Sequence, residues 1–389
     1  MNELSKCKLE DKFERVTRKN VTGNTNVLTI SAQQGLINQF EYYNNQYASE
    51  NTSEYTLLHK GDFAYNKSYS EGYPFGATKR LDRYDSGIVS PLYICFTAKD
   101  GICVDFYSYY FESEPFYREI YKIAQEGARN HGLLNVSAED FFKIKIANPP
   151  LEEQQRIAEI LGCCDHVIRL KNQLILEKKK QKKALMQKLL TPDSGFRLPG
   201  FSGKWDNIVL NNICSFLGGG TPDTRRNDFW NGSIPWISSA DVDENKFSVN
   251  ISRFITEEAL NSSATQLCPA NTLLIVSRVG VGKVAIAEKS ICTSQDFTNI
   301  IIKKGNVWFY AYLIKNILED SIHKAQGTSI KGITVSELKQ LHMFVPESLD
   351  EQQKIADVLI TADKEIDFLE NDLFSQKQKK KALMQLLLS

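Results

Sequence analysis

Two stretches of the chain carry the apolar spacing of long helices, and they are copies of each other. Residues 151–161 read LEEQQRIAEIL and residues 349–359 read LDEQQKIADVL, while 182–190 (KKALMQKLL) return as 380–388 (KKALMQLLL). Both matches are displaced by the same 198 residues, so the two blocks align without a gap. A repeated helical block that follows different sequence each time indicates an internal duplication.

The pattern within each copy predicts two helices. In the first copy Glu152 and Glu153 lie where the dipole of a beginning helix favours negative charge. Residues Gly162–Cys164 should interrupt the helix. A longer helix of ~26 residues, from Asp165 to Leu190, should then span roughly 40 Å. That length is close to one turn of B-DNA, ~34–36 Å.

The remaining sequence alternates between strand-like and helical runs. In the first half, runs rich in β-branched and aromatic residues lie at 26–30, 87–96 and 142–146, with an amphipathic helix at 107–126. The second half has strand-like runs at 272–277, 284–287 and 299–302, and a helix at 307–318. Because 325–341 also parallels 124–142, the duplication extends into the two folds.

These patterns predict an α/β (α+β) protein with two similar mixed α/β domains. An antiparallel pair of long helices should separate the domains, with a pseudo-two-fold relation that results from the duplication. The predicted boundaries are a first domain at 1–150, a helical region at 151–190, a Pro/Gly linker at 191–205, a second domain at 206–348 and a second helical region at 349–389.

The lysine clusters of the two long helices favour the antiparallel arrangement. A parallel pair would set lysines 178–183 beside lysines 377–381, and like charges repel. An antiparallel pair should place Lys182 and Lys183 near Glu370 and Asp372, and should pack 167–176 against 382–388. The predicted packing residues are Ile168, Leu174, Ile175, Leu185, Leu189, Ile366, Leu369, Leu373, Leu383 and Leu387.

Composition limits the function. Lysine plus arginine and aspartate plus glutamate are balanced at 47 each, which argues against a protein that grips nucleic acid by bulk charge. Eight cysteines without paired spacing indicate reduced thiols in a cytoplasmic protein. We find no signal-peptide pattern at the N-terminus and no apolar run of the ~18 residues that a bilayer-spanning helix needs.

Two short motifs hint at an enzyme active site or a phosphate-binding loop, and each has a simpler interpretation. Asn148-Pro149-Pro150-Leu151 is similar to the loop of amino-directed DNA methyltransferases, but it also suits a break between a strand and a helix. GVGKV at 280–284 lacks the leading glycine and the Ser/Thr of a phosphate-binding loop, so a turn between strands is favoured. GGGTPD at 218–223 is interpreted as a turn or a flexible tip, and a mobile Gly-Thr tip could contact a DNA backbone. The five histidines show no metal-ligand spacing.

Taken together and in order, several motifs resemble the specificity (S) subunit of Type I restriction–modification systems. They are the EQQ-R/K-IA helix, the KKALMQ helix, FRLPGF-x-x-x-W at 196–205 and GGGTPD…IPWIS-x-x-DV at 218–242. The first half departs from the pattern, since it lacks the PGF-x-x-x-W lead-in and has LTISAQQGLI at 28–37 in place of the IPWIS signature.

The resemblance implies a non-catalytic subunit of a host-defence system. Two target recognition domains would each read one half of a bipartite double-stranded DNA sequence. Two modification (M) subunits, which use S-adenosylmethionine for adenine methylation, and restriction (R) subunits, which use ATP and Mg, would dock on it. The chain itself would bind no cofactor or metal.

Base reading requires Arg, Asn, Gln or Lys at base edges, with Ser, Thr and Tyr at phosphates. The candidates in the first half are Tyr65, Lys67, Tyr69, Tyr73, Lys79, Arg80, Arg129, Asn130 and His131. Those in the second half are Thr221, Arg225, Arg226, Ser238, Ser239, Arg278, Lys283, Gln295, Ser329 and Lys331. The alternative functions are a protein–protein scaffold without DNA contact and a self-sufficient DNA methyltransferase.

Overall fold

The computed structural model describes residues 4–31, 34–45, 51–68, 73–124, 134–324 and 332–389. The chain forms two compact units: the first comprises Met1–Asn172 and Asp372–Ser389, and the second comprises Gln173–Asn371. Each unit contains helices, strands and hydrophobic cores of its own. The predicted mixed α/β class with two domains is confirmed.

The first half alternates short strands and helices before one long helix. Its elements are β1 Lys6–Lys8, α1 Leu9–Lys12, β2 Phe13–Arg15, β3 Leu28–Ser31, β4 Gly35–Asn38, α2 Gln39–Tyr43, β5 Thr56–His59, β6 Phe63–Asn66, β7 Ala77–Arg80, β8 Ser86–Val89, β9 Ile94–Ala98, α3 Val104–Tyr110, α4 Glu114–Ile123, α5 Ala138–Lys143, β10 Lys145–Ala147 and α6 Leu151–Leu189.

An antiparallel sheet in the order β2-β9-β6-β7 forms the centre of the first unit. Its inward side chains are largely aromatic. The rings of Phe13, Phe63, Phe96 and Phe111 contact one another at centroid distances of 5.3–5.8 Å. The described part of the first unit also contains three two-stranded pairs, β1-β10, β3-β4 and β5-β8.

Several predicted boundaries in the first half are wrong in detail. The run at 87–96 is two strands, β8 and β9, joined by a turn, and the helix at 107–126 is divided into α3 and α4 at 111–113. The run at 142–146 begins inside α5, so only β10 is a strand. Alternation and apolar spacing identify buried faces, but they do not locate the breaks between short elements.

The second half repeats the plan. Its elements are β11 Trp205–Val209, β12 Cys214–Gly218, β13 Ile234–Ile237, β14 Arg253–Ile255, α7 Glu257–Asn261, β15 Leu273–Val276, β16 Val284–Ile286, β17 Cys292–Thr293, β18 Phe297–Ile302, α8 Val307–Lys324, α9 Val335–Lys339, β19 His342–Pro346 and α10 Leu349–Leu387. Its central sheet, β12-β18-β15-β16, corresponds strand by strand to that of the first unit. Beside it, β13 pairs with β14 antiparallel and with β17 parallel.

The long helices α6 and α10 each contain 39 residues without interruption. The predicted break at Gly162–Cys164 is therefore wrong, and the helix is about 58 Å long rather than roughly 40 Å. A single glycine inside a helix costs only about 1 kcal/mol, so the surrounding helical residues override it.

Ion pairs show that α6 and α10 run antiparallel in both units. In the first unit Lys171 pairs with Asp372 and Lys380 pairs with Asp165. In the second unit Lys178 pairs with Glu365, Lys179 with Glu370 and Lys182 with Asp363. The direction is confirmed, but the predicted register is wrong. The partner of Lys182 is Asp363, which lies seven residues before the predicted partner Glu370.

The ends of the long helices complete the domain cores, which explains this register. In the first unit Ile157 and Leu161 of α6 lie in one cluster with Leu388 and its neighbours Leu383 and Leu387. In the second unit the equivalent residues do the same: Ile355, Leu359, Leu185, Met186 and Leu189 share one cluster. Residues 382–388 thus pack near the start of α6, whereas the sequence predicted that they would pack against 167–176.

The predicted packing residues divide accordingly. Ile175, Leu189, Ile366 and Leu373 are buried, whereas Leu174 is 43% exposed. Leu174 is therefore a wrong assignment, because its neighbour Ile175 takes the inward position. Ile168, Leu185, Leu369, Leu383 and Leu387 are partly buried.

The Pro/Gly linker is docked on the start of α10. Arg197 makes two hydrogen bonds with Glu351, from Nε to Oε1 at 2.8 Å and from Nη2 to Oε2 at 2.7 Å. Its third nitrogen donates to the Gly203 carbonyl at 2.7 Å, and its guanidinium lies 5.8 Å from the Trp205 ring. Four residues of the FRLPGF-x-x-x-W and EQQ motifs thus meet at one point.

Candidate nucleic-acid interface

In the second unit, the ends of four strands meet at one edge. Ser294, after β17, donates its backbone N–H to the Ile237 carbonyl at the end of β13, at 2.9 Å. Ser277, after β15, donates to the Asp296 carbonyl at 2.8 Å. Gly220, after β12, donates to Thr293 at 2.8 Å. The connections that follow these strands are therefore held side by side, and four predicted residues lie on them: Thr221, Ser238, Arg278 and Gln295.

The segment 218–223, which begins with three glycines, packs closely against its neighbours and is not a flexible tip. A Cβ on Gly219 would lie 1.9 Å from the Ser294 carbonyl oxygen, and one on Gly220 would lie 2.4 Å from the Thr265 nitrogen. The Trp236 indole donates to the Gly220 carbonyl at 2.9 Å. These close approaches require glycine. They place Thr221, which is exposed, so that its hydroxyl hydrogen-bonds Gln295.

Ser238 lies in a small charged network beside this run. Its Oγ donates to Asp241 at 2.9 Å and accepts from Arg253 Nη2 at 2.7 Å. The Arg253 guanidinium also covers the Trp236 ring at 4.6 Å. Burial alone would raise the pKa of Asp241, but the hydrogen bonds from Ser238 and Arg253 outweigh it and lower that pKa. Arg253 was missed, since nothing near it in the sequence marks it.

Two predicted arginines carry their own counter-ions. Arg225 is 89% exposed and pairs with Asp223 at 2.9 Å, which lowers the Asp223 pKa to about 2. Arg226 pairs with Asp228 and, at 3.0 Å, with Glu258. Exposed pairs of this kind are weak, so a phosphate group can displace the carboxylates at small cost.

Arg278 and Lys283 lie on the hairpin between β15 and β16, the segment that contains GVGKV. The interpretation of that motif as a turn between strands is confirmed. Lys283 is turned inward, donating to the Val242 carbonyl at 3.2 Å. Arg278 is exposed and forms no ion pair within the described part of the chain. Arg278 is thus a cation at this edge that no carboxylate of the described residues neutralises.

The first unit places fewer of its candidates at an equivalent edge. Lys67 follows β6 in the first unit, as Ser277 follows β15 in the second. A later segment of the chain bonds to each of them: the Leu134 N–H donates to the Lys67 carbonyl at 3.0 Å, and the Ile333 N–H donates to the Ser277 carbonyl at 2.8 Å. The Lys67 ammonium donates to the Val136 carbonyl at 3.3 Å.

The other described candidates of the first unit are partly neutralised. Lys79 pairs with Glu112 at 2.6 Å and lies 5.5 Å from the Tyr73 ring. Arg80 pairs with Asp82 at 2.6 Å and with Asp105 at 2.7 Å.

Two assignments to a DNA-facing surface are wrong. Tyr65 is fully buried, stacks on Phe141 at 5.0 Å and donates its hydroxyl to the Phe75 carbonyl at 2.8 Å, so it is a core residue. Ser239 is also buried, with only 9% of its surface exposed. Tyr69, Arg129, Asn130, His131, Ser329 and Lys331 lie outside the described residues.

Two absences hold for the residues that the structure describes. No group of three or more His, Cys, Asp or Glu side chains in these ranges could hold a metal ion. None of the helices there combines enough length with enough apolar character to cross a lipid bilayer.

Comparison with known proteins gives consistent matches. The family model described as "Type I restriction modification DNA specificity domain" matches residues 3–179 and 202–374. The Type I restriction enzyme MjaIX specificity subunit of Methanocaldococcus jannaschii is 34% identical over 187 residues, which are 46% of this chain and 41% of that protein. The EcoR124I/EcoR124II specificity subunit of Escherichia coli is 35% identical over 160 residues, 39% of each chain. This chain therefore matches about two fifths of the length of these two relatives.

Solved structures are similar in fold along the whole chain. One chain from a study of complex assembly and conformational transition of the type I R-M system has a TM-score of 0.64 at 18% identity, covering 100% of this chain and 98% of that one. The Type-I restriction-modification system S subunit from M. genitalium has a TM-score of 0.57 at 15% identity, with coverage of 100% and 97%.

Proposed function

Since its two matched segments make up most of the sequence, this chain belongs to the family of type I restriction–modification DNA specificity domains, and we propose that it is the non-catalytic subunit that selects the DNA target. Residues 1–150 and 206–348 are its recognition domains, one for each half of a bipartite duplex. The helical regions 151–190 and 349–389 space them, and 191–205 connects the halves. Modification and restriction subunits, which carry S-adenosylmethionine, ATP and Mg, are its partners.

One observation supports this proposal above the others: the edge of the second unit at which Thr221, Ser238, Arg278 and Gln295 meet. Backbone hydrogen bonds between neighbouring strands hold these four positions, so their side chains are presented on a fixed frame. Hydroxyl, amide and guanidinium groups are those that recognise phosphates and base edges. The balanced charge of the chain fits a subunit that shares its hold on DNA with its partners.

The proposal is tested by methylation sequencing of DNA from cells that contain the chain and its modification subunit. We expect modified adenines within one bipartite motif. In the variant R278A/Q295A, discrimination in one half-site should relax, because a good base contact is worth about 1–3 kcal/mol. The other half-site should stay strict. The control is Lys303→Ala, which removes an exposed cation from the opposite end of β18.

Three results would contradict the proposal. They are the absence of a bipartite motif, equal relaxation of both half-sites in the double variant, and an equal effect of the Lys303 control. A second test shortens both long helices by one turn, ~5.4 Å, which should change the permitted spacer by about one to two base pairs. An unchanged spacer would rule out the helices as its ruler.

A further inference from the structure

A tyrosine, an aspartate and a lysine from three separate elements meet in the first unit. The hydroxyl of Tyr109, in α3, donates to Asp165 Oδ2 of α6 at 2.8 Å. The Lys380 ammonium, from α10, donates to the other oxygen of Asp165 at 2.6 Å and lies 5.0 Å from the centre of the Tyr109 ring. One carboxylate therefore accepts from the domain and from the opposite helix together.

The second unit contains the same three groups in the same arrangement. The hydroxyl of Tyr312, in α8, donates to Asp363 Oδ2 of α10. The Lys182 ammonium, from α6, pairs with Oδ1 of Asp363 and lies 5.5 Å from the Tyr312 ring. The roles of α6 and α10 are exchanged, as the duplication requires. The aspartates and the lysines are separated by the same 198 residues as the two helical blocks.

The tyrosines belong to a repeat of their own. Residues 104–109 read VDFYSY and residues 307–312 read VWFYAY, so each tyrosine ends a V-x-F-Y-x-Y segment. The N-terminus of each segment is fixed by a buried glutamine. Gln154 accepts from the Cys103 N–H at 2.9 Å, and Gln352 accepts from the Asn306 N–H at 2.9 Å. Each domain helix is therefore tied to a long helix at both ends of this segment.

We propose that Tyr109–Asp165–Lys380 and Tyr312–Asp363–Lys182 are positioning joints, each of which fixes the register of α6 against α10 and the seat of its own recognition domain on both helices. This inference rests on the proposed function. The joints touch no base. They act by holding each reading edge where the second half-site can be engaged once the first is bound.

The effect of loosening a joint on DNA binding follows from the effective concentration of the second recognition domain at its half-site. When two binding modules are linked, the second contact is intramolecular and its strength depends on how well the linkage holds the geometry. Loosening one joint should therefore weaken binding to a duplex with both half-sites. It should leave binding to a duplex with one half-site unchanged, because the reading residues are untouched. It should also make the chain more tolerant of an altered spacer.

The variants remove the contacts one at a time. Tyr312→Phe removes the hydroxyl and keeps the ring, Asp363→Asn removes the charge and keeps the shape, and Lys182→Arg keeps both the charge and the contact with the ring. Lys364→Gln is the matched control, since it removes an exposed charge from the residue next to Asp363. Tyr109→Phe tests the joint of the first unit.

Affinity is measured with the full chain and its modification subunit, on duplexes that carry the motif found by methylation sequencing. For Tyr312→Phe and Asp363→Asn we expect roughly 3- to 10-fold weaker binding to the full site and less than about twofold change on either half-site alone. Spacers changed by one base pair should be rejected less strongly. The control Lys364→Gln should behave as wild type, and Lys182→Arg, which keeps the charge, should lose less affinity than Tyr312→Phe or Asp363→Asn. Equal losses of affinity for the full site and for the single half-sites, or no loss of affinity at all, would overturn the proposal.

Amide hydrogen exchange separates this inference from the proposed function, because it needs no DNA. In Tyr312→Phe the amides of 182–190 should exchange roughly 3- to 10-fold faster while those of 380–388 do not change, and Tyr109→Phe should show the reverse. If the wild-type complex selects no bipartite duplex, the proposed function fails and exchange alone decides the joint. Unchanged exchange at both helix ends would refute it.

Discussion

The bond between Arg197 and Glu351 gives a sharp test of how the linker stabilises the second unit. The Glu351 side chain is only 2% exposed, and Arg197, at 27%, is its sole ion-pair partner among the described residues. Changing Arg197 to Met keeps the apolar stem over Trp205 but leaves a buried carboxylate without a counter-charge.

The expected loss is about 3 kcal/mol of unfolding free energy. Removing one partner of a buried ion pair costs about 3–5 kcal/mol. The lower end applies here, because Arg197 is partly solvated and Glu351 lies in the first turn of α10, where the helix dipole contributes about 0.3–1 kcal/mol to a carboxylate.

Tryptophan fluorescence during urea unfolding measures this loss. All four tryptophans, at 205, 230, 236 and 308, belong to the second unit, so the signal reports that unit alone. With a slope of about 2–3 kcal/mol/M, the midpoint should fall by about 1 M. The midpoint is compared rather than the intensity, because Arg197 touches Trp205.

Two further variants make the reasoning refutable. Adding Glu351→Gln to the Arg197→Met variant should restore most of the stability, because a neutral amide needs no counter-ion. Glu347→Gln, at an exposed carboxylate of the second unit shortly before α10, should change stability by less than about 0.5 kcal/mol. A loss below that value in Arg197→Met, or a double variant no more stable than the single one, would refute the argument.

Three other expectations follow from the same contacts. Gly219→Ala should weaken reading of one half-site by displacing the Thr221 run from Ser294, whereas Gly218→Ala, with open space around its Cβ, should not; the measurement is affinity for each half-site. The lowered pKa of Asp241 contributes stability that is present above about pH 4 and is lost as pH falls through the folded-state value. The acid sensitivity of the second unit below about pH 4, followed by fluorescence, should therefore shrink in Asp241→Asn. A chain of residues 1–190 should form a dimer in light scattering, because Met186 and Leu189 can take the places of Met384 and Leu387 in a second copy; a stable monomer would contradict the equivalence of the helix ends.

The sequence alone predicted the duplication, the two mixed α/β domains and the antiparallel sense of the helices. Each was encoded locally: the repeat by identity of residues, the elements by apolar spacing, and the sense by the repulsion that a parallel pair would create between lysine clusters. It also contained the V-x-F-Y-x-Y repeat at 104–109 and 307–312, which would have identified Tyr109 and Tyr312 if it had been compared in register.

The candidate interface could be predicted only in part. Residue type identified Thr221, Ser238, Arg278 and Gln295, and the fold brings their segments to one edge. Residue type could not distinguish them from Tyr65, which is chemically just as suited to a phosphate, because burial depends on the strand and face that a residue occupies. Arg253 was missed for the same reason, since its role exists only where β14 lies beside Ser238.

Tertiary structure alone decided the register of the long helices. A heptad-like pattern is satisfied again after a shift of seven residues, and Lys182 could meet Glu370 or Asp363 with similar local energy. The choice falls to Asp363 because only that register buries Leu185, Met186 and Leu189 with Ile355 and Leu359 in the core of the second unit. The domain and both helices bury this apolar surface jointly, and the total buried area determines the stabilisation. The pattern along a single helix does not contain that total.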